Sequence, residues 1–352
     1  GRQVVKRLRQ DDVVFFDGLL RDCTDYLGPS QVKQLWRTVR RSLPKFQQRR
    51  MTTPPFQLEG LEDQWLDHFC QLEAGTPTTI PQLLKVCIER QSCALFDAPR
   101  QMDCMELPSL FALEDAFRKT TAGRATGDDP LPSDIFHRAA CPLAAGYHDL
   151  LLKEFVWQTE PLQYKGGPVA IIPKCLAPTT TKQFRGILLL GNMAKRTHSV
   201  LRTRIMNHLE HAKAPGQLGG FPGQQVMFGS QALRLFGNIA DARGVSSAVL
   251  FLDLSNAFHH LVRELVTGVS SSHNLTAVLD VLRNSGHPAE KLDAACQLPG
   301  LLSDLGAPRS LVRLVCDVHA ETWCSLPFHQ YVHTRRGTRP GSPLADIVFH
   351  IL

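Results

Sequence analysis

Apolar positions recur at helical spacing early in the chain. Val32, Trp36, Val39 and Leu43 fall at i, i+4, i+7 and i+11, while Lys33, Arg37 and Arg41 share another face. Ser30, after Gly28-Pro29, is placed to cap this helix over 31–43. Residues 44–60 are broken by Pro44, Pro54, Pro55 and Gly60 and read as a linker. A second helical patch around Trp65–Phe69 runs to Gly75, with Pro77 and Pro81 expected to close it. Leu110, Leu113, Ala116 and Phe117 predict a short capped helix to about Lys119, followed by a Gly/Pro loop from Arg124 to Pro132. Helical residues near 146–156 precede two short apolar runs, Val169–Ile172 and Ile187–Leu190, which read as a strand pair around a polar segment.

Further on, Val200, Leu201, Ile205 and Leu209 mark one side of a long helix from about 192 to 211, and another helix is expected over 230–240. Ala248–Leu252 is a continuous apolar run read as a buried strand ending in Asp253. Helices near 275–283 and 309–319 follow, then strands over 322–328 and 330–334 flanking a turn. Strands and helices alternate without a regular βαβ repeat, so the expected class is α+β. A boundary near residue 105 divides a basic helical segment, 1–105, from the remainder, 106–352.

Composition sharpens this picture in three places. Hydrophobic residues make up 43% of 352 and charged residues 20%, a globular balance. No run approaches the roughly 18 apolar residues of a membrane span, and no secretory signal opens the chain, so no membrane partner is expected. The net charge is +6, yet 12 Lys/Arg against 5 Asp put +7 on residues 1–50 alone. Such an arm suits a polyanion, and Arg37, Arg40 and Arg41 are placed to track phosphates. The same charges also fit a solvated helix face. The 10 cysteines form no CxxC pair and read as reduced, mostly buried small hydrophobes of an intracellular protein. The first residue is Gly1 and the last, Leu352, lies in an apolar run, which suggests a segment of a longer chain.

Neither GxGxxG nor GxxxxGK[ST] occurs. Asp253 at a strand end suits a hard cation such as Mg²⁺, although an Asp there also serves as a turn or helix cap. Four other segments bear on the choice. Arg124–Pro132 holds Gly127, Asp129 and Pro132; Ile172-Pro173-Lys174 is followed by Phe184-Arg185-Gly186-Ile187; Gln217–Phe221 reads QLGGF. Asp253-Leu254-Ser255-Asn256-Ala257-Phe258 comes next, then Arg339-Pro340-Gly341-Ser342-Pro343-Leu344. In this order the sequence resembles the reverse transcriptases of non-LTR (LINE-type) retrotransposons, over roughly residues 107–352. Trp65–Phe69 and Glu73-Ala74-Gly75 are similar to the helical stretch that precedes the polymerase in such elements.

The resemblance implies the fingers and partial palm of a right-hand RNA-directed DNA polymerase, with an RNA template, a DNA primer and dNTPs as partners. It implies nucleotidyl transfer to a primer 3′-OH with two Mg²⁺, and copying at a chromosomal target in the nucleus. Asp253 would bind both ions, with the Leu254 carbonyl as a further ligand. Lys174 and Arg185 would grip the triphosphate. Asn256, Ala257 and Phe258 would line the nucleotide, with the Phe258 ring as a gate against a 2′-OH, and Gly341 would let the backbone approach it. Pro340, Gly186 and His259 depart from the family pattern. The Tyr/Phe-x-Asp-Asp hairpin is missing, since Asp-Asp occurs only at 11–12 and 128–129. Truncation before that hairpin is expected, leaving this segment inactive alone. The alternatives are a decayed remnant that only binds nucleic acid and a group II intron-like or telomerase-like reverse transcriptase.

Overall fold

The computed structural model describes residues 61–96, 102–209, 226–268 and 300–351 apart from 122, 124, 130, 176, 177, 254 and 255, together with isolated positions 14, 17, 18, 21 and 218. The helix expected over 31–43, with Arg37, Arg40 and Arg41, and the helix near 275–283 lie outside the described residues, as does most of Gln217–Phe221. The chain divides into units 1–56 and 57–352, and the helices and strands of this fold belong to the second.

Helix α1, Glu62–Leu72, buries Trp65 and Phe69 one turn apart and carries Glu62 and Asp63 at its positive end. Ala74, at φ +46°, turns the chain into β1, Thr76–Thr78, and α2, Ile80–Phe96, follows. Pro81 therefore does not close a helix. It sits in the first turn of one, where its missing N–H has no intrahelical partner to lose. Helix α3, Leu110–Arg118, starts at Ser109, whose hydroxyl accepts from the Ala112 N–H at 3.2 Å. Then come α4, Ser133–Arg138, and α5, Ala140–Trp157, which ends at Gln158 in the left-handed region. Strands β2, Gly166–Pro173, and β3, Phe184–Leu188, precede α6, Asn192–Leu209, and α7, Val226–Ala242.

Short helices α8, Ala257–His260, α9, Arg263–Thr267, and α10, Leu301–Asp304, lead to α11, Arg309–His319. Strands β4, Thr322–Leu326, and β5, Gln330–Thr334, and helix α12, Ala345–His350, complete the set. The class is α+β. Apolar stripes of α3, α5, α6 and α11 meet in one core, with Phe117, Phe155, Leu201 and Leu311 fully buried. Among the described residues no helix is long and apolar enough to cross a membrane.

The sheet has five strands in the order β1-β5-β4-β2-β3. Both expected strand pairs are present as antiparallel pairs, β2 with β3 and β4 with β5. Strand β2 changes partner along its length. Gly166–Pro168 pair in parallel with Trp323–Ser325, and Val169–Pro173 pair with β3. Residues 62–96, grouped with the N-terminal segment by sequence, contribute β1, which pairs with β5 at the sheet edge.

A second expectation fails. Ala248–Leu252 is not a buried strand: it pairs with no strand among the described residues, and Leu250, Phe251 and Leu252 are 80% exposed or more. An apolar run becomes a strand only where a neighbouring edge takes its backbone hydrogen bonds and a second layer covers its side chains. No described element does either here.

A buried ion cluster ties the sheet to the helices. Asp317 of α11 accepts from Lys165 Nζ at 2.7 Å and from the Glu160 N–H at 2.7 Å, and pairs with Arg90 of α2. Burial pushes the Asp317 carboxyl up, but Lys165 and Arg90 more than reverse this and hold it below the ordinary carboxylate range. A carboxylate with a depressed folded pKa stabilises the fold at neutral pH, and that contribution is lost as pH falls through the folded value. Asp317→Asn is expected to cost about 3–5 kcal/mol at pH 7, because two buried cations lose their partner. Urea denaturation checks this, and the gap from the parent should close in acid below the carboxylate range.

Candidate functional site

The β2–β3 hairpin presents its cations on one face. Ile172 lies opposite Arg185, and the Lys174 N–H donates to the Gln183 carbonyl at 2.8 Å. Side chains alternate along a strand, so Lys174, Ile172 and Arg185 share a face, and all three are exposed. Lys174 Nζ donates to the Lys182 carbonyl at 3.2 Å, drawing a third cation's backbone into the tip. The tip itself is shaped by Gln183, whose Oε1 accepts from the Thr179 N–H at 2.6 Å and, with Thr180, closes a capping box.

The opposite face packs on α1. The Phe184 ring meets Trp65 edge-on at 5.2 Å between centroids. Gly186 lies under Phe69, where a Cβ would come within 2.7 Å of the ring. Gly186, which stands where the resemblance implies proline, is thus the residue that admits Phe69.

The Arg336–Leu344 loop seats on this hairpin through backbone. The Leu188 N–H donates to the Pro340 carbonyl at 3.1 Å. Gly341 has φ +114°, and a Cβ there would lie 2.4 Å from the Leu188 carbonyl oxygen. On the loop's other side the Thr338 N–H donates to the Phe258 carbonyl and the Gly337 N–H to the Leu261 carbonyl, each at 2.7 Å. Three segments far apart in sequence, 184–188, 258–261 and 337–341, are therefore joined by one hydrogen-bonded seam.

Buried side chains hold the loop from inside. Arg339 is 5% exposed; its Nη1 donates to the Tyr164 carbonyl at 2.9 Å and its Nη2 lies 3.9 Å from Glu160. Glu160 also pairs with His198 of α6, whose Nδ1 lies 3.0 Å from the Ser342 hydroxyl. Burial raises the Glu160 carboxyl, but His198 and Arg339 bring it below its ordinary value, while burial keeps His198 low and neutral. With Glu160 ionised and the ring neutral, His198 Nε2–H donates to Glu160 and Nδ1 accepts from Ser342. Ser342 Oγ in turn accepts from the Leu344 N–H at 3.2 Å. Arg263 supports the same loop by donating to the Gly337 carbonyl at 2.5 Å and the Arg336 carbonyl at 2.7 Å, and it reaches the His319 carbonyl at 2.6 Å and the Thr334 hydroxyl at 3.2 Å. Its guanidinium is pushed down to about 10 by burial.

The other sequence-singled residues distribute around this seam. Asp253 is exposed and makes no side-chain hydrogen bond or ion pair among the described residues. Leu254 lies outside them. Asn256 is exposed in the left-handed region at φ +53°, and its carbonyl accepts from the His259 N–H as α8 begins at Ala257. The Phe258 ring packs against Phe349 of α12 at 5.0 Å. His259, which stands where the resemblance implies Asp, pairs with Glu73. Asp129 accepts from the backbone N–H of Asn192 and so caps α6, a structural task for a residue of the 124–132 loop. Among the described residues no three His, Cys, Asp or Glu side chains are grouped to hold a metal ion. Asp253 alone does not meet the needs of two Mg²⁺.

Glu160, His198, Ser342 and Arg263 carry no sequence signal as a set. The one local hint is a histidine and Thr197 amid the apolar face of α6. The chain matches no model of a known protein family and no curated protein.

Gly341→Ala should strain the loop twice, through its positive φ and through the Leu188 carbonyl. A loss of about 1–3 kcal/mol is expected, measurable by urea denaturation, whereas Gly237→Ala on exposed α7, where a Cβ meets nothing, should not destabilise.

Proposed function

We propose that the chain belongs to an RNA-directed DNA polymerase that transfers a nucleotide from dNTP to a primer 3′-OH. The observation that carries this reading is the seam just described. The resemblance assigns Arg185, Phe258 and Gly341 separately to nucleotide contact, and the segments that carry them, 184–188, 258–261 and 337–341, share backbone hydrogen bonds. A seam of that kind suits template-directed chemistry, in which most of the rate comes from positioning and charge stabilisation. On this reading Lys174 and Arg185 meet the triphosphate from one face of a projecting hairpin, the Arg in a bidentate manner. Phe258 closes the sugar side, and Gly341 keeps side-chain bulk out of the nucleotide's path. RNA template and DNA primer would run along the same basic surface.

The chemistry that Mg²⁺ supplies in such enzymes is activation of the 3′-OH and neutralisation of the leaving pyrophosphate. The described residues provide Asp253 for it, and among them no three His, Cys, Asp or Glu side chains are grouped to hold an ion. An apolar hairpin bearing Asp-Asp, as the resemblance implies, would answer two needs together. It would pair with the exposed run at 249–252 and bring carboxylates beside Asp253. The solitary Asp253 favours a second reading, a remnant that binds nucleic acid without catalysis.

Primer extension on an RNA template with Mg²⁺ and all four dNTPs separates them. The chain alone should bind primer–template without extending it. A longer polypeptide that includes such a hairpin should extend the primer, and Asp253→Asn should abolish this. Binding without extension in both would favour the remnant. Extension by the chain alone, lost in Asp253→Asn, would reveal a carboxylate partner outside the described residues. In the extending protein, Arg185→Ala should weaken nucleotide use by about 1.5–3 kcal/mol, read as kcat/KM for dNTP. Phe258→Val should admit ribonucleotides; unchanged rejection would assign Phe258 to packing against Phe349 alone.

A further inference from the structure

A cavity of about 250 Å³ opens between α2, the C-terminal end of α5 and the loop at 159–164. Tyr147, Leu150, Trp157, Pro161 and Tyr164 line it, so its walls are mainly aromatic and apolar. Two carboxyl groups line it with an Oε2 that has no hydrogen-bond partner, Glu160, which already meets His198 and Arg339, and Glu154. Glu154 is 6% exposed, its Oε1 receives only a long 3.5 Å hydrogen bond from Tyr147, and its Oε2 has no partner. A buried polar atom without a partner costs free energy that a ligand can return. At the exposed edge Lys153 stands over the Trp157 ring, 5.2 Å from its centroid.

These features point to a two-part ligand: a flat ring with polar edge atoms for the interior and an anion for Lys153. We propose that this cavity binds a nucleoside monophosphate unit, free or within a strand, with its base against the aromatic walls and Glu154. The phosphate meets Lys153. The volume suits a base rather than a larger planar system. Burial, with nearby Glu160, drives the Glu154 carboxyl well above its ordinary value, so it is neutral and offers one O–H donor and one acceptor. A base edge with an adjacent donor and acceptor complements that pair; a quaternary ammonium, which aromatic cages also take, does not. Binding here does not require the polymerase reading. The wall residues Tyr164 and Glu160 do, however, hold Arg339, so an occupant touches the frame of the Pro340–Gly341 loop.

The test is isothermal titration of the full chain with AMP, CMP, GMP and UMP, with the matching nucleosides, with a short single-stranded RNA and with tetramethylammonium. At least one mononucleotide should bind. Glu154→Leu should weaken it about tenfold or more, the equivalent of one lost hydrogen bond of about 1.4 kcal/mol. Glu154→Gln, which keeps one donor and one acceptor, should stay within about threefold of the parent on the same scale. Lys153→Ala should weaken nucleotides and leave nucleosides unchanged. RNA binding that shows the same Glu154 dependence assigns the source to a strand; mononucleotide binding without it assigns a free nucleotide. Failure of every nucleotide and RNA to bind the parent overturns the proposal. So does binding of tetramethylammonium in their place, or binding unchanged in Glu154→Leu when thermal melting shows that the variant is folded.

Discussion

The parallel pairing of β2 with β4 is the constraint on which the remaining geometry rests. These strands lie some 150 residues apart, and a parallel pair has no tight turn to set its register. Asp317 and Lys165 set it instead. Asp317 lies in the last turn of α11 just before β4, Lys165 immediately precedes β2, and their buried ion pair places Gly166 beside Trp323. The fit there is close: a Cβ on Gly166 would lie 2.1 Å from the Trp323 carbonyl oxygen. Once β2 is registered, its second half fixes β3. The end of β3 then receives Pro340, so a charge pair at one end of the sheet determines where the loop at the other end can sit.

This dependence explains which features were legible in the sequence. Helices α3, α5, α6 and α11 and both hairpins follow from periodicity, because each buries one stripe or one face against the same core. The boundaries of α3 were set by a single side chain, Ser109. Pro81 misled because proline is excluded from helix interiors but welcome in the first turn, and the two cases look alike without knowing where the helix starts. Ala248–Leu252 misled for a different reason. Hydrophobicity states that a segment benefits from cover, and says nothing of what supplies it.

The site was legible as segments and illegible as a network. Lys174, Arg185 and Gly341 stand out through charge, strand pattern and glycine placement, which are local properties. Glu160, His198, Ser342 and Arg339 become a unit only when a loop, a helix and a second loop fold together. Each would be unremarked alone, since a buried polar group is costly by itself and stable only in company. Arg263 is the extreme case, a buried cation satisfied by carbonyls and the Thr334 hydroxyl, whose positions are known only once the fold is known.

Two positions where the chain departs from the pattern it resembles show how packing can decide a residue. Gly186 and His259 both replace residues that the resemblance implies, and both have partners supplied by α1 and the turn after it: Phe69 over Gly186 and Glu73 against His259. The substitutions are therefore coupled to the segment at 62–75 rather than scattered through the site. Helix α1 packs on the back of the cationic hairpin through Trp65 and Phe69, while Arg336 donates to the Gln71 and Leu72 carbonyls at its end. One helix thus braces both the hairpin that carries Lys174 and Arg185 and the loop that carries Gly341. Any change that loosened α1 would act on the hairpin and the loop without touching Lys174, Arg185 or Gly341. The positions that tune this geometry need not be the ones that stand out in the sequence.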